Sequence, residues 1–330
     1  MHVIRHLDQY EVSEQIPLVL AIGNFDGVHL GHQHLIQKIT ERAKKINGRA
    51  AVLTFYQHPQ HVLHPSAKPS LLTSIEHKLF LLEEQGVEIC FLLSFTPELS
   101  RMEAEDFVSI VLLDRLNVRE IYLGHNARFG RDRRGDSSLM KELAEKLKFH
   151  YEEIKPVDFN GTMVSSSRLR SLVREGELEA AHQCLDRPWS LWGEVVHGDH
   201  RGRTIGFPTA NLKIKSEILP PFGVYAVRAR EISLDSPKIH EKEAGFFKST
   251  KGKWHQAVMN YGYRPTFKDE SQAIPEVHYL DFEGDLYGKL VEIQFFERIR
   301  GEMCFSGLEA LKKQIEADVE KTRQILAKKA

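Results

Sequence analysis

The feature that most constrains the fold of this chain is a change of rhythm near residue 189. Upstream of it, short apolar runs alternate with helical patterns. LVLAI (18–22) reads as a buried strand, and 34–45 follows as a helix with Leu35, Ile36, Ile39 and Ala43 on one face. AAVLTF (50–55), a helix over 75–85 carrying Leu79, Phe80 and Leu82, ICFLLSF (89–95), a helix over 104–116 and EIYLG (120–124) continue the series. Strands and helices alternating at this spacing predict an α/β fold, a parallel sheet with crossover helices. Ligands of such sheets sit beyond the carboxyl ends of the strands. Residues 23–32 lie there, directly after the first strand, and 124–135 can share that edge.

Downstream the helical patterns stop. LWGEVVHG (191–198), GVYAVRARE (223–231), WHQAVMNYG (254–262), EVHYLDF (276–282) and KLVEIQFFERIR (289–300) read as strands separated by turns. That pattern predicts an antiparallel barrel or sandwich. One helix closes the chain, with Ser306 and Glu309 spaced as a capping box and Leu308, Leu311, Ile315, Val319 and Leu326 as its apolar stripe. The domains are expected at 1–186 and 187–330, with 232–253, rich in Lys, Glu and Ser, as a long exposed hairpin loop.

Composition narrows the class. A chain of 330 residues suits two domains of ordinary size. With 45 basic and 46 acidic residues the net charge is −1, which argues against bulk nucleic-acid binding. Cys90, Cys184 and Cys304 are dispersed and odd in number, so a reducing cytoplasm is expected rather than a disulfide framework. The N-terminus MHVIRHLDQYEVSEQ lacks the apolar core of a signal peptide, and no run approaches the ~20 apolar residues of a membrane span. A soluble intracellular protein, with neither nucleic acid nor membrane as partner, is the expectation.

The stretch GNFDGVHLGH (23–32) carries the first candidate chemistry. Gly23 and Gly31 allow sharp turning and close approach of backbone to a ligand. The helix beginning near His32 offers free N–H groups and the positive end of its dipole to an anion. The spacing is neither G-x-x-x-x-G-K-[ST] nor G-x-G-x-x-G. His29 and His32 can instead donate to one phosphoryl group and stabilise charge that develops on phosphorus under attack. Taken alone, the pair could equally be turn residues or zinc ligands with distant partners. Its setting between a strand and a helix favours the phosphoryl reading. VSSSRLRSLVREGELEAA (164–181) adds Ser166, Ser167, Arg168 and Arg170 at a helix start, a suitable clamp for polyphosphate, although a plain serine cap with surface arginines has the same pattern. HPQHVLHP invites a metal reading of His58, His61 and His64, but the flanking Pro59 and Pro65 favour a loop over a regular ligand face.

In the second half GDHRGRTIGFPTANL (198–212) is the most specific stretch. Gly198, Gly202 and Gly206 permit a tight loop that follows a phosphate, with His197 and His200 at its rim. Thr209 and Asn211, two apart on a strand-like segment, project to one side. Their hydroxyl and amide oxygens suit a Mg²⁺ ion that also holds ATP phosphates. A Gly/Pro-rich barrel corner without a ligand has the same periodicity.

G-x-F-D-x-x-H-x-G-H followed by S-S-[ST]-x-x-R resembles the nucleotidylyltransferase superfamily. With VLTFYQHP, LLTSIEHKL and GHNARFGRDRRGD, the first half resembles the N-terminal module of the bacterial bifunctional riboflavin kinase/FAD synthetases. GRTIGFPTAN, GVYAV, GYRPTF, EVHYLDFEGDLYGK and RIRGEMCFSGLEAL resemble the riboflavin kinase module throughout its length. The resemblance implies a Rossmann-like nucleotidylyltransferase domain followed by a six-stranded Greek-key barrel with a C-terminal helix. It places the ATP α-phosphate by His29 and His32, within a nucleotide site that includes Gly23, Phe25, Asp26, Gly31 and Asn126. Ser166, Ser167 and Arg170 fall on the side of the departing pyrophosphate. In the kinase module it implies Gly202 and Gly206 at the nucleotide, Thr209 and Asn211 on Mg-ATP, and Glu276 as general base on the ribityl 5′-hydroxyl. Riboflavin, FMN, FAD and ATP are the implied substrates and products. The family often has an aromatic residue where Ala127 stands, commonly threonine at Ser167 and a small aliphatic residue at Tyr261. Three other readings remain open from the sequence: a kinase whose first domain no longer adenylylates, a flavin-responsive regulator that binds nucleotide or RNA without turnover, and another small-molecule adenylyl- or cytidylyltransferase.

Overall fold

The computed structural model describes every residue except 64, 65, 67, 68, 160, 199–204, 216, 217, 236–243, 263–273 and 330. The chain forms two compact units. One comprises Met1–Ser70, Ile75–Ser165 and Asp235–Lys248, the other Leu71–Ser74, Ser166–Leu234 and Ser249–Ala330.

The first unit is built on β1 (His2–Ile4), β2 (Leu18–Ile22), β3 (Arg49–Phe55), β4 (Ile89–Leu93), β5 (Val118–Gly124) and β6 (His150–Ile154). Their order across the sheet is β1-β4-β3-β2-β5-β6, and every neighbouring pair is parallel. Parallel neighbours require crossovers. These contain α1 (Leu30–Lys45), α2 (Pro59–Leu63), α3 (Ile75–Glu84), α4 (Pro97–Arg101), α5 (Ala104–Asp106), which runs into a π-helical segment (Phe107–Arg115), and α6 (Ser137–Leu147). The α1 face expected from periodicity is the one that is buried: Leu35, Ile36, Ile39 and Ala43. Ile4, Leu20, Leu53, Phe91 and Ile121 lie at the centre of the core, and each such side chain contributes about 1.5–3 kcal/mol. The sequence expectation did not include β1, α6 or β6. The short β1 has only three residues, and β6 (HYEEI) buries only Ile154, so neither offers a periodic apolar run.

In the second unit β9 (Ser190–Val196), β10 (Ala210–Ile214), β11 (Gly223–Asp235), β14 (His255–Tyr261), β15 (Glu276–Tyr279) and β16 (Leu290–Arg300) follow the ring order β9-β10-β15-β14-β11-β16, and β16 pairs back with β9. This is a closed six-stranded antiparallel barrel. The jump from β10 past β15 and β14 to β11 is a Greek-key connection. Leu191, Tyr225, Met259, Val277 and Ile293 fill the interior. Helices α7 (Ser166–Glu175), α8 (Leu178–Leu185) and α9 (Leu308–Ala327) belong to this unit.

Two local expectations change. The capping box at Ser306 and Glu309 does not form: Gly307 is the N-cap of α9 and has no side-chain bond. Of the apolar stripe, Leu308 is exposed, Leu311, Ile315 and Val319 are half-buried and Leu326 is buried. Residues 232–253 are not one long exposed loop either. β11 runs on to Asp235, β12 (Gly245–Phe246) pairs antiparallel with β1, and β13 (Lys248–Lys251) joins the barrel sheet. Phe247 is buried, which anchors the segment despite its polar composition; 236–243 lies outside the described residues. A two-residue hairpin pair, β7 (Asp158–Phe159) and β8 (Thr162–Met163), precedes α7.

Candidate active sites

The chain leaves β2 toward β3 and β4 on one side, and β5 takes the place on its other side. The carboxyl ends of β2 and β5 therefore flank the topological switch point, where open α/β sheets form their ligand crevice. Residues 23–29 connect β2 to α1, and 125–136 connect β5 to α6. Gly23, Phe25, Asp26 and His29 are thus gathered on one connection and Gly31 and His32 in the first turn of α1, with Asn126 exposed just beyond the neighbouring strand.

The turn is strained, and not at the expected glycines. Left-handed backbone falls at Phe25 (φ 50°), Gly27 (φ 78°) and Val28 (φ 40°). For Phe25 and the β-branched Val28 this costs about 1–3 kcal/mol each. Both side chains are buried, which holds them there. Gly23 and Gly31 serve close packing instead. A Cβ on Gly23 would lie 3.3 Å from the Phe25 ring, and one on Gly31 would lie 3.2 Å from the His29 ring.

His29 is the N-cap of α1 and accepts the His32 N–H at its Nδ1 over 3.4 Å. A neutral His29 therefore carries its proton on Nε2. The two imidazoles stack with centroids 3.7 Å apart. Burial, then His29, then Lys78 push His32 well below the ordinary histidine value, so it is neutral at physiological pH. Its Nδ1 is buried and meets no hydrogen-bond partner among the described residues. An orphaned ring nitrogen beside a helix N-terminus fits a site that takes a polar ligand.

Beneath the turn lie groups the sequence did not single out. Lys78 Nζ, from α3, donates to the carbonyls of Phe55 at 2.9 Å and Asn24 at 3.3 Å, and to Thr54 Oγ1 at 3.2 Å. The Thr54 hydroxyl donates to the Asn24 carbonyl at 3.1 Å, and the Asn24 amide meets His58 Nε2 at 3.1 Å. A signal for Lys78 was present: it stands on the apolar stripe of α3, four residues before Leu82.

The histidine-rich segment forms a short helix, α2, instead of the expected loop. His58 faces Asn24, and His61 meets the Pro69 carbonyl at 2.9 Å. Among the described residues no group of three or more His, Cys, Asp or Glu side chains can hold a metal ion; His64 lies outside them. Ala127 packs half-buried against the hydrophobic core. Ser166, Ser167 and Arg170 stand in the first turns of α7, with Arg170 buried.

In the barrel, register brings the second set together. Asn211 of β10 stands opposite Glu276 of β15, and Glu276 stands opposite Asn260 of β14. Directly paired residues share a face, so the amide and the carboxylate lie side by side on the barrel wall. Thr209 is half-buried immediately before β10. A Cβ on Gly198 would fall 1.9 Å from Asn211 Nδ2, so glycine at 198 makes room for the Asn211 side chain. Gly206 has φ 90° with open space around it. Gly202 and His200 lie outside the described residues. His278 is a further member that the sequence reading left without a role. Its Nδ1–H donates to the Pro208 carbonyl at 2.8 Å, and Phe207 packs edge-on against its ring. His197 stacks on Tyr287 at 4.0 Å.

Comparison with known proteins finds matches to both halves of the chain. The FAD synthetase family model matches residues 11–168 and the riboflavin kinase family model matches residues 185–326. A bifunctional riboflavin kinase/FMN adenylyltransferase of Listeria monocytogenes is 35% identical over 312 residues, covering 94% of this chain and 93% of that protein. The Bacillus subtilis protein of the same description is 34% identical over 321 residues, covering 96% and 94%. Among solved structures, a Streptococcus pneumoniae chain described as a macrolide-efflux protein superposes with a TM-score of 0.79 at 27% identity, covering 97% of this chain and 98% of that one. The efflux description belongs to that protein; no helix among the described residues of this chain is long and apolar enough to cross a membrane. Two family models on one chain, with relatives that align along nearly its whole length, place it in the bifunctional riboflavin kinase/FMN adenylyltransferase family.

Proposed function

We propose that the chain makes FMN from riboflavin and ATP in its barrel, with ADP as by-product, and then FAD from FMN and ATP in its parallel-sheet domain, releasing pyrophosphate. Residues 187–330 are assigned to the first reaction and 1–186 to the second. The observation that carries this reading is that each family match coincides with a set of polar residues the fold has gathered: the strained turn at the switch point and the Asn211–Glu276 pair.

Neither step needs a protein nucleophile. In the kinase reaction the ribityl 5′-hydroxyl attacks the γ-phosphorus of ATP, Glu276 takes the hydroxyl proton, and the bond to ADP breaks. Glu276 reaches this role from a strand whose neighbour His278 fixes the Pro208–Thr209 backbone. In adenylyl transfer an FMN phosphate oxygen attacks the α-phosphorus and the bond to pyrophosphate breaks. His29, His32 and the α1 N-terminus stabilise the charge that builds on the α-phosphoryl oxygens. Phe25, Asp26, Gly23, Gly31 and Asn126 shape the nucleotide site, as Gly202 and Gly206 do in the kinase.

Thr209 and Asn211 offer two oxygen donors, a set that suits Mg²⁺, and the Gly198 backbone leaves the space that Asn211 needs. Bound there, Mg²⁺ would neutralise charge on the ATP phosphates. A cytoplasmic site of action is supported by the cysteines: Cys90, Cys184 and Cys304 are all free thiols.

The test is to supply riboflavin, ATP and Mg²⁺ and separate the flavins by chromatography. FMN followed by FAD and pyrophosphate is expected. Riboflavin alone at the end overturns the proposal, and FMN without FAD or pyrophosphate overturns its second half.

A further inference from the structure

The reactions above leave one buried cation without a role. Lys78 sits on α3, where residues from His77 to Leu82 are all buried, and it is 6% exposed. Burying an ammonium group is strongly unfavourable unless its protons are all satisfied. Its three protons have three acceptors, the Asn24 and Phe55 carbonyls and Thr54 Oγ1. Thr54 also donates to the Asn24 carbonyl, so that one oxygen in the turn is gripped from both α3 and β3.

The grip acts on the peptide that sets the turn. Across a trans peptide the carbonyl of one residue and the N–H of the next point in opposite directions. Holding the Asn24 carbonyl toward Lys78 therefore fixes the orientation of the Phe25 N–H, and with it the left-handed Phe25 at φ 50°. If the carbonyl were released, rotation of the 24–25 peptide would return Phe25 to ordinary extended backbone and relieve its strain. Asp26 and the His29 cap of α1 follow directly in the chain and would move with it.

We propose that Lys78 is a positioning residue for adenylyl transfer: by holding the Asn24 carbonyl it keeps the 23–29 turn in the strained form that presents His29 and His32 to the ATP α-phosphate. This rests on the assignment of that turn to the adenylyl site. Lys78 does not touch the reacting atoms; it acts through the turn.

The charged and titratable groups around Lys78 are Asp26 and His32 from the turn and its helix, and Cys90 from β4 with Arg5 beside it. Cys90 is pushed up to about 12 by burial, and His32 is neutral, so neither changes charge near neutral pH. Burial lowers Lys78 itself to about 8, with Cys90 and Asp26 opposing the shift. Above that pH the neutral amine has two protons for three acceptors.

The experiment measures kcat and KM for FAD formation from supplied FMN and ATP between about pH 6.5 and 9.5, where kcat/KM reports groups of the free enzyme. FMN formation from riboflavin by the same full chain is the internal control. Wild-type kcat/KM is expected to fall above about pH 8. Lys78→Met should lose about 100-fold in kcat/KM at neutral pH and show no alkaline fall. Lys78→Arg, which stays charged across the range, should recover part of that loss and also show no alkaline fall. FMN formation should stay within about twofold throughout, a change of under about 0.5 kcal/mol.

A folded Lys78→Met with wild-type kcat/KM overturns the proposal, and so does a wild-type profile that is flat across this range. The wild-type profile decides the matter if the variants do not fold. His32→Ala run alongside separates the two claims. If it leaves FAD formation intact, the site assignment fails. If it abolishes FAD formation and Lys78→Met does not, only the role of Lys78 fails.

Discussion

His32 shows how burial sets chemistry at a single side chain. Desolvation, the stacked His29 and the Lys78 charge all disfavour its protonated form, so on the proposed assignment the ring would donate as a neutral imidazole. Removing such a preorganised donor costs about 100- to 1000-fold in kcat, and His32→Ala is expected to show that loss in FAD formation with FMN formation unchanged. The same depressed value has a consequence for stability. The unfolded histidine takes up a proton below about pH 6.5, and the folded one does not, so its contribution is complete above that pH and declines as pH falls below it. Urea unfolding at about pH 7.5 and 5.5 should show a shallower loss in His32→Ala than in wild type, the slope from one group being at most about 1.4 kcal/mol per pH unit. Gly198 is constrained by space. A Cβ there would lie 1.9 Å from Asn211 Nδ2, so Gly198→Ala must displace the amide. Kinase kcat/KM should fall by about 10- to 100-fold, with conversion of supplied FMN to FAD unaffected.

Among the elements, α9 depends on one buried ion pair as much as on its apolar stripe. Arg300 of β16 grips Asp318 through both carboxylate oxygens, at 2.8 to 3.1 Å, and Gln314 donates to the same group. Asp318 is 3% exposed, so Arg300→Ala would strand a buried carboxylate. A loss of about 3–5 kcal/mol is expected, read as a lower urea midpoint for the barrel. This lock was invisible in a periodicity reading, which looks for apolar residues at helical spacing and treats Asp318 as part of the polar face. The failed capping box has a similar origin. Ser306 and Glu309 have the right spacing, but Gly307 takes the cap position and the bond is not made. By contrast the buried face of α1 was fully legible, because Leu35, Ile36, Ile39 and Ala43 repeat with the helical period and so share one face. β6 escaped notice as an edge strand with polar, half-exposed residues.

For the molecule as a whole, the assignment makes a division of labour that can be measured. Glu276→Gln should lower FMN formation by about 100- to 10,000-fold, the range for loss of a general base, and still convert supplied FMN to FAD. His32→Ala should do the reverse and accumulate FMN. Loss of both activities from either change in a folded chain would overturn the assignment. The two-part fold and the identity of the motif-bearing turns could be read without coordinates, since hydrophobic period and motif spacing are local properties written along the chain. The contacts that bring distant residues together could not. Lys78 reaches the turn only because α3 packs beneath it, and Asn211 meets Glu276 only through strand register. The strain at Phe25 and Val28 likewise exists only where buried side chains and a lysine on another helix hold the backbone against its own preference. Contacts between residues far apart in the chain depend on how elements pack and pair, and local pattern does not encode that geometry.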